Sequence, residues 1–105
     1  MNKEFKEFKD FEEFYPYYID EHKNKHNKLL HFIGTTISLI FMIIFLASLD
    51  PKYVFYGFLS GYAWAWVGHF FIEKNKPATF YFPLYSLRGD WRMYKEIIQG
   101  KHAII

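Results

Sequence analysis

Two long uncharged stretches, separated by three residues, constrain this chain more than any other feature. Residues 32–49 carry no charged side chain, Asp50-Pro51-Lys52 follows, and residues 53–72 again carry none. As helices, these runs of 18 and 20 residues extend about 27 and 30 Å, close to the hydrocarbon thickness of a bilayer. Pro51 disfavours one continuous helix, and the polar tripeptide makes a turn. The expected fold is therefore all-α: an integral membrane helical hairpin with amphipathic helices at both ends. The chain then divides into an N-terminal His-bearing region (1–31), a first span (32–49), a second span (53–72) and an interfacial C-terminal region (73–105), forming a single membrane domain. The alternative is a soluble bundle that buries both helices, but 105 residues leave too little chain to wrap them.

Charge supplies the orientation. Of the 13 Lys and Arg, 12 lie on the side of the termini and only Lys52 lies in the turn. The positive-inside rule then places both termini in the cytoplasm or its topological equivalent. A net charge of +2 builds no field for nucleic acid. The absence of cysteine removes disulfides, thiolate metal sites and a thiol nucleophile. The first 30 residues hold no apolar core of a signal peptide, so the first span is expected to act as the insertion signal.

Residues 3–14 read KEFKEFKDFEEF, with Phe5, Phe8, Phe11 and Phe14 three apart. This is an amphipathic helix, either lying in the membrane interface or packed on the rest of the domain. Pro16 is expected to open a second helix, and Asn24 and Asn27 offer break and cap positions. Gly57, Gly61, Ala65 and Gly68 form a small-residue stripe on the second span, with Gly34 and Ser38 on the first. These stripes should face each other or a second copy of the chain. Beyond Pro77 and Pro83, Asp90 is expected to cap a final amphipathic helix that ends near Gly100.

Chemistry rests on histidine. In an antiparallel hairpin His31, entering the first span, and His69, near the end of the second, share one side. Their axial offset of about four residues is roughly 6 Å. A break between Asn24 and Asn27 would fold His22 or His26 towards them, and Glu73 shares a helix face with His69. Imidazole with carboxylate and no sulfur suits non-haem iron or zinc, and an ionisable group within a span points to function. A haem held by His31 and His69 is a rival that the small-residue stripes oppose. His102, in the tail, has no company in the sequence. Neither a nucleophile elbow nor a glycine-rich phosphate loop is present.

The stretch from His22 to Thr35, read H-x4-N-x3-H-x2-G-T, is followed by Gly68-His69-x3-Glu73-x3-Pro77-Ala78 and by Pro83-Leu-Tyr-Ser86-Leu-Arg-Gly89-Asp90-x-Arg92. Together these resemble a family of small membrane proteins that includes 2-hydroxy-fatty-acid dioxygenases of the endoplasmic reticulum. The resemblance covers roughly Tyr15 to Gly100. It implies an Fe(II) enzyme that uses dioxygen to shorten a 2-hydroxy fatty acid by one carbon, in fatty-acid alpha-oxidation and sphingolipid breakdown. His22, His31 and His69 match the family's histidines and would be the catalytic metal ligands, with His26 and Glu73 as further candidates. Arg88 or Arg92 could meet the substrate carboxylate, while the acyl tail follows the hairpin. The characterised fungal relative carries extra spans between the motifs, where this chain has only Asp50-Pro51-Lys52. The short form would then need a second copy to enclose its site, or would have lost catalysis.

A non-catalytic accessory subunit of a larger membrane assembly is the competing reading, and a lipid-binding hairpin a third. The compartment follows from the choice: endoplasmic reticulum by resemblance, mitochondrial inner membrane for an accessory subunit, inner membrane in a bacterium.

Overall fold

The structure, a computed structural model, describes residues 8–77 and 80–104. Those residues form helices α1 (Phe11–Asp20), α2 (Lys25–Ser48) and α3 (Lys52–Val67), a π-helical segment (Gly68–Glu73) and helix α4 (Pro83–Ile98), with no strand among them. The all-α expectation holds. Of the expected spans, only α2 is long and apolar enough to cross a membrane by length and composition. The second stretch is α-helical for 16 residues and then changes winding. What the structure shows is thus a hairpin of two helices, one of them of spanning length.

Local chemistry sets the boundaries. Asp10 caps α1 by accepting from the Glu13 amide at 2.9 Å, and Glu12 and Glu13 occupy the first turn where the helix dipole favours acids. Pro16 lies inside this helix rather than opening another. It forfeits one backbone bond, and burial of the surrounding aromatics holds the helix together. The Asn24 side chain caps α2 by accepting from the His26 amide at 2.8 Å. The helix therefore starts at Lys25, before the predicted span, and takes in Asn27 and His31. It ends where Leu49 turns left-handed (φ 57°), just before Asp50 and Pro51. Pro83, at the first turn, starts α4. Asp90 consequently lies inside α4 and does not cap it.

The small-residue stripes do face each other. A Cβ built on Gly34 would lie 2.9 Å from the Trp64 Cβ and 3.0 Å from the Gly61 carbonyl oxygen. One turn on, the Ser38 hydroxyl donates to the Gly57 carbonyl at 2.7 Å. The outward faces stay bare, with Ile43 and Leu46 each 65% exposed and Phe55 62% exposed.

At the open end of the hairpin, α1 packs on α4. Phe11, Phe14, Tyr15 and Tyr18 form a core with Met93 and Ile97. The phenylalanine-rich segment, as far as it is described, is therefore packed against the protein; Phe5 and the start of the predicted amphipathic helix lie outside the described residues. The core is clamped by Glu96, which accepts from the Tyr15 hydroxyl at 2.6 Å and from Arg92 at 3.2 Å. Arg92 also reaches Glu12 at 3.0 Å and lies 4.1 Å over the Tyr15 ring. His102 is not isolated, for its Nε2 sits 2.8 Å from Glu96. The Tyr94 hydroxyl, 2.9 Å from Thr36 Oγ1, ties α4 to α2.

Two outcomes test this architecture. Gly34→Leu wedges the helices apart and should lower stability by about 1–3 kcal/mol, whereas Ser38→Ala, which loses one neutral hydrogen bond, should cost about 1 kcal/mol; thermal unfolding in mild detergent reads both. Desolvation would raise the Glu96 pKa, but hydrogen bonds from Tyr15, His102 and Arg92 outweigh it and pull the carboxyl down to about 2. A depressed folded pKa contributes stability above the unfolded value, and that contribution is lost as pH falls towards the folded one. The thermal midpoint should drop between about pH 4.5 and 2, and Glu96→Gln should flatten that part of the profile.

Candidate metal centre

The three histidines that matter come from three separate elements. His22 lies in the turn after α1, His31 in the second turn of α2 and His69 in the π-helical segment. All are buried, at 1%, 6% and 2% exposure respectively. One ring nitrogen from each lies within 4.8 Å of those of the other two. The ring centroids are 4.4 Å apart for His22–His31 and for His22–His69, and 5.1 Å apart for His31–His69. All three belong to one chain, so no second copy is needed to bring them together.

Outer hydrogen bonds fix how the rings point. His22 Nδ1 is 2.6 Å from the Tyr18 carbonyl oxygen, which only a protonated Nδ1 can satisfy. His69 Nδ1 is 2.7 Å from Asn75 Oδ1. That amide is itself held, since Asn75 Nδ2 donates to the Glu21 carbonyl at 3.0 Å and to its carboxylate at 2.7 Å. With Nδ1 engaged, Nε2 carries the lone pair and is free to ligate. His31 Nδ1 faces Asp90 at 3.8 Å, an approach too long for a hydrogen bond.

A donor set looking for an acceptor follows. His22 Nε2 and His31 Nε2 are buried without a hydrogen-bond partner among the described residues. Such atoms are costly unless something pairs with them. Burial, and then the neighbouring imidazoles of His31 and His69, hold the His22 pKa well below its ordinary value, so this ring stays neutral and available to a cation. The residues present fit a divalent transition metal bound by three imidazoles, which leaves open positions for other ligands. The space enclosed among the rings is about 10 Å³, enough for an ion or one water. It is far smaller than a porphyrin, so the arrangement as it stands suits a bare ion better than a haem.

The π-helical winding helps to deliver His69. Gly68 lies against Asn27, and a Cβ there would run into the Asn27 side-chain oxygen. This contact brings the end of α3 onto the start of α2, beside His31. Lys74, left-handed at φ 59°, ends the segment and turns the chain so that Asn75 reaches back to His69.

Other sequence candidates fall elsewhere. His26 is exposed on the first turn of α2 and is outside the cluster. Glu73 accepts from the Asn24 amide and so braces the α1–α2 turn. Arg88 and Arg92 line a separate surface pocket with Phe11, Glu12, Lys95 and Glu96, and neither lines the histidine pocket.

The residues that sequence reasoning missed are on α4. Ser86 and Asp90 line the histidine pocket with Tyr18, Tyr62 and Trp66. The Ser86 hydroxyl is buried without a partner. Asp90 accepts from the Tyr18 hydroxyl; burial nonetheless raises its carboxyl to about 7. The signal was the spacing Ser86-x3-Asp90, one turn apart on a helix that begins at Pro83. Asp90 also borders a second space, a groove of about 270 Å³ between α2 and α3.

The family model described as 2-hydroxy-palmitic acid dioxygenase Mpo1-like matches residues 8–102. No curated protein and no solved structure matches the chain.

If the outer hydrogen bonds orient ligands, Asn75→Ala should weaken binding of Fe(II) or Zn(II) by about 10–100-fold with the fold intact. His102→Ala should leave metal affinity unchanged. Metal titration monitored alongside circular dichroism distinguishes these outcomes.

Proposed function

Because the chain belongs to the 2-hydroxy-palmitic acid dioxygenase Mpo1-like family, we propose that it is an Fe(II)-dependent dioxygenase of 2-hydroxy fatty acids. The observation that carries this reading is the set of three buried imidazoles converging within ligand distance of one another. Iron held by His22, His31 and His69 would supply an electron-rich centre that activates dioxygen beside the hydroxy acid. The overall conversion balances without another reductant: the 2-hydroxy acid and one dioxygen give the acid one carbon shorter, carbon dioxide and water.

The protein's own groups do the rest. The Tyr18 carbonyl and Asn75 hold the two outer rings in the tautomer that keeps Nε2 unprotonated. Asp90 stands between the histidine pocket and the groove. Burial raises its carboxyl above the ordinary carboxylate range, and its place between pocket and groove suits it to give or take the proton of a substrate hydroxyl. The Ser86 hydroxyl offers a further donor to substrate oxygen. Tyr18, buried and stacked on the His22 ring, helps to keep bulk water out.

The surroundings are read as lipid. The bare apolar faces of α2 and α3 match a bilayer, with α3 and the π-helical segment completing a second crossing and the termini on the cytoplasmic side. The fatty acyl substrate would reach the groove from the membrane. For an accessory subunit that binds no metal, the buried unpaired nitrogens of His22 and His31 would be a cost without a return.

Purified protein reconstituted with Fe(II) should convert 2-hydroxyhexadecanoate to pentadecanoate with uptake of one dioxygen. His69→Ala should lose the bound metal and fall to background. Retained turnover in that variant, or a wild-type protein that binds no iron, overturns the reading.

A further inference from the structure

The groove between α2 and α3 is continuous with the histidine pocket. Both are bordered by His31, Tyr62, Ala65 and Asp90. From His31 the groove follows α2 past Ser38 to Met42, and on α3 it runs from Ala65 to Tyr53. Its polar groups gather at the histidine end and its far end is apolar. Just beyond Tyr53 lies the charged turn, where Lys52 pairs with Asp50 at 3.6 Å. The groove therefore has a polar entrance and an apolar run whose last lining residues are Met42, Tyr53 and Val54.

We infer that this groove measures the substrate: Met42, Val54 and Tyr53 at its far end set the preferred length of the alkyl chain. The inference rests on the dioxygenase reading for the nature of the head group, which lies at His31 and Asp90. From His31 to Met42 is eleven residues, or about 17 Å along the helix axis. An extended alkyl chain advances about 1.25 Å per methylene, from a bond of about 1.5 Å opened at about 111°. The bore thus accepts about 13 methylenes. With the carboxyl carbon and the hydroxyl-bearing carbon at the site, the preferred acids have 14 to 16 carbons, counted as roughly those methylenes plus two. Longer tails run past Met42, Tyr53 and Val54 and lose the groove's contacts. A chain shorter by one helical turn, or about 5.4 Å, leaves the far end unfilled.

Side-chain bulk at the far end should shift the optimum. Met42→Trp and Val54→Trp fill about the last turn of the groove and should move the preferred length down by about four carbons. Ile43→Trp is the control: Ile43 is 65% exposed and does not border the groove. Two measurements keep the inference separate from the dioxygenase reading. The first is turnover of mixed 2-hydroxy acids of 10 to 18 carbons by the iron-loaded protein. The second is displacement of a fluorescent fatty acid by unhydroxylated saturated acids of the same lengths, with the iron-loaded protein kept under nitrogen. A downward shift in both variants but not in Ile43→Trp supports the inference. If displacement shows this shift while no acid is turned over, the dioxygenase reading fails and the groove assignment survives. An optimum unchanged in both groove variants, an equal shift in Ile43→Trp, or no displacement at any length overturns it.

Discussion

The close approach of α2 to α3 is the constraint on which the rest of the molecule depends. The outward faces of both helices are bare, so the contact between them rests on the close packing of their backbones. Gly34 against Gly61 and Trp64, and Gly68 against Asn27, leave no space for a further carbon between the helices. That closeness sets the distance between the helix carrying His31 and the segment carrying His69. Larger residues at these contacts would move the rings apart before they altered either helix.

The knot of α1 and α4 supplies the third ligand and the cover. Tyr18 illustrates how structure and site are joined. Its ring stacks 4.1 Å from His22 and lies against Gly89. Its carbonyl holds the His22 ring and its hydroxyl bonds Asp90. One residue thus couples the packing of α1 on α4 to the orientation of His22 and of the Asp90 carboxylate. The aromatic richness of the chain acquires a reason here. A small domain whose hairpin leaves its outer faces bare has little interior, and large rings bury most area per residue.

Much of this was legible in the residues. The gap in charge marked the hairpin, the glycine spacing its contact faces, and the placement of His31 and His69 their shared end. Spacing left His22 and His26 as equal candidates in a Lys-rich stretch, and only the family resemblance singled out His22, which the turn before the Asn24 cap buries. Other features depended on tertiary choices that no local pattern declares. Asp90 resembles a helix cap until Pro83 is seen to start the helix two turns earlier. Arg88 and Arg92 are obvious partners for a carboxylate, but packing on Phe11 and pairing with Glu12 place them outside the histidine pocket. Glu73 has the right spacing from His69 for a ligand, yet the Asn24 amide takes its carboxylate. His102 looked solitary because its partner, Glu96, belongs to a clamp assembled by three elements.

The winding of residues 68–73 has a consequence for how such a chain can change over time. A π turn holds an additional residue relative to an α turn. Losing one residue here would let the coil relax to ordinary α pitch, with the chain on either side kept in register, and would re-aim the side chains inside the turn. His69 is one of them, and its ring would leave Asn75. A substitution on the outward face of α3 touches none of these contacts, whereas a deletion in this stretch would dismantle the histidine cluster in a single event.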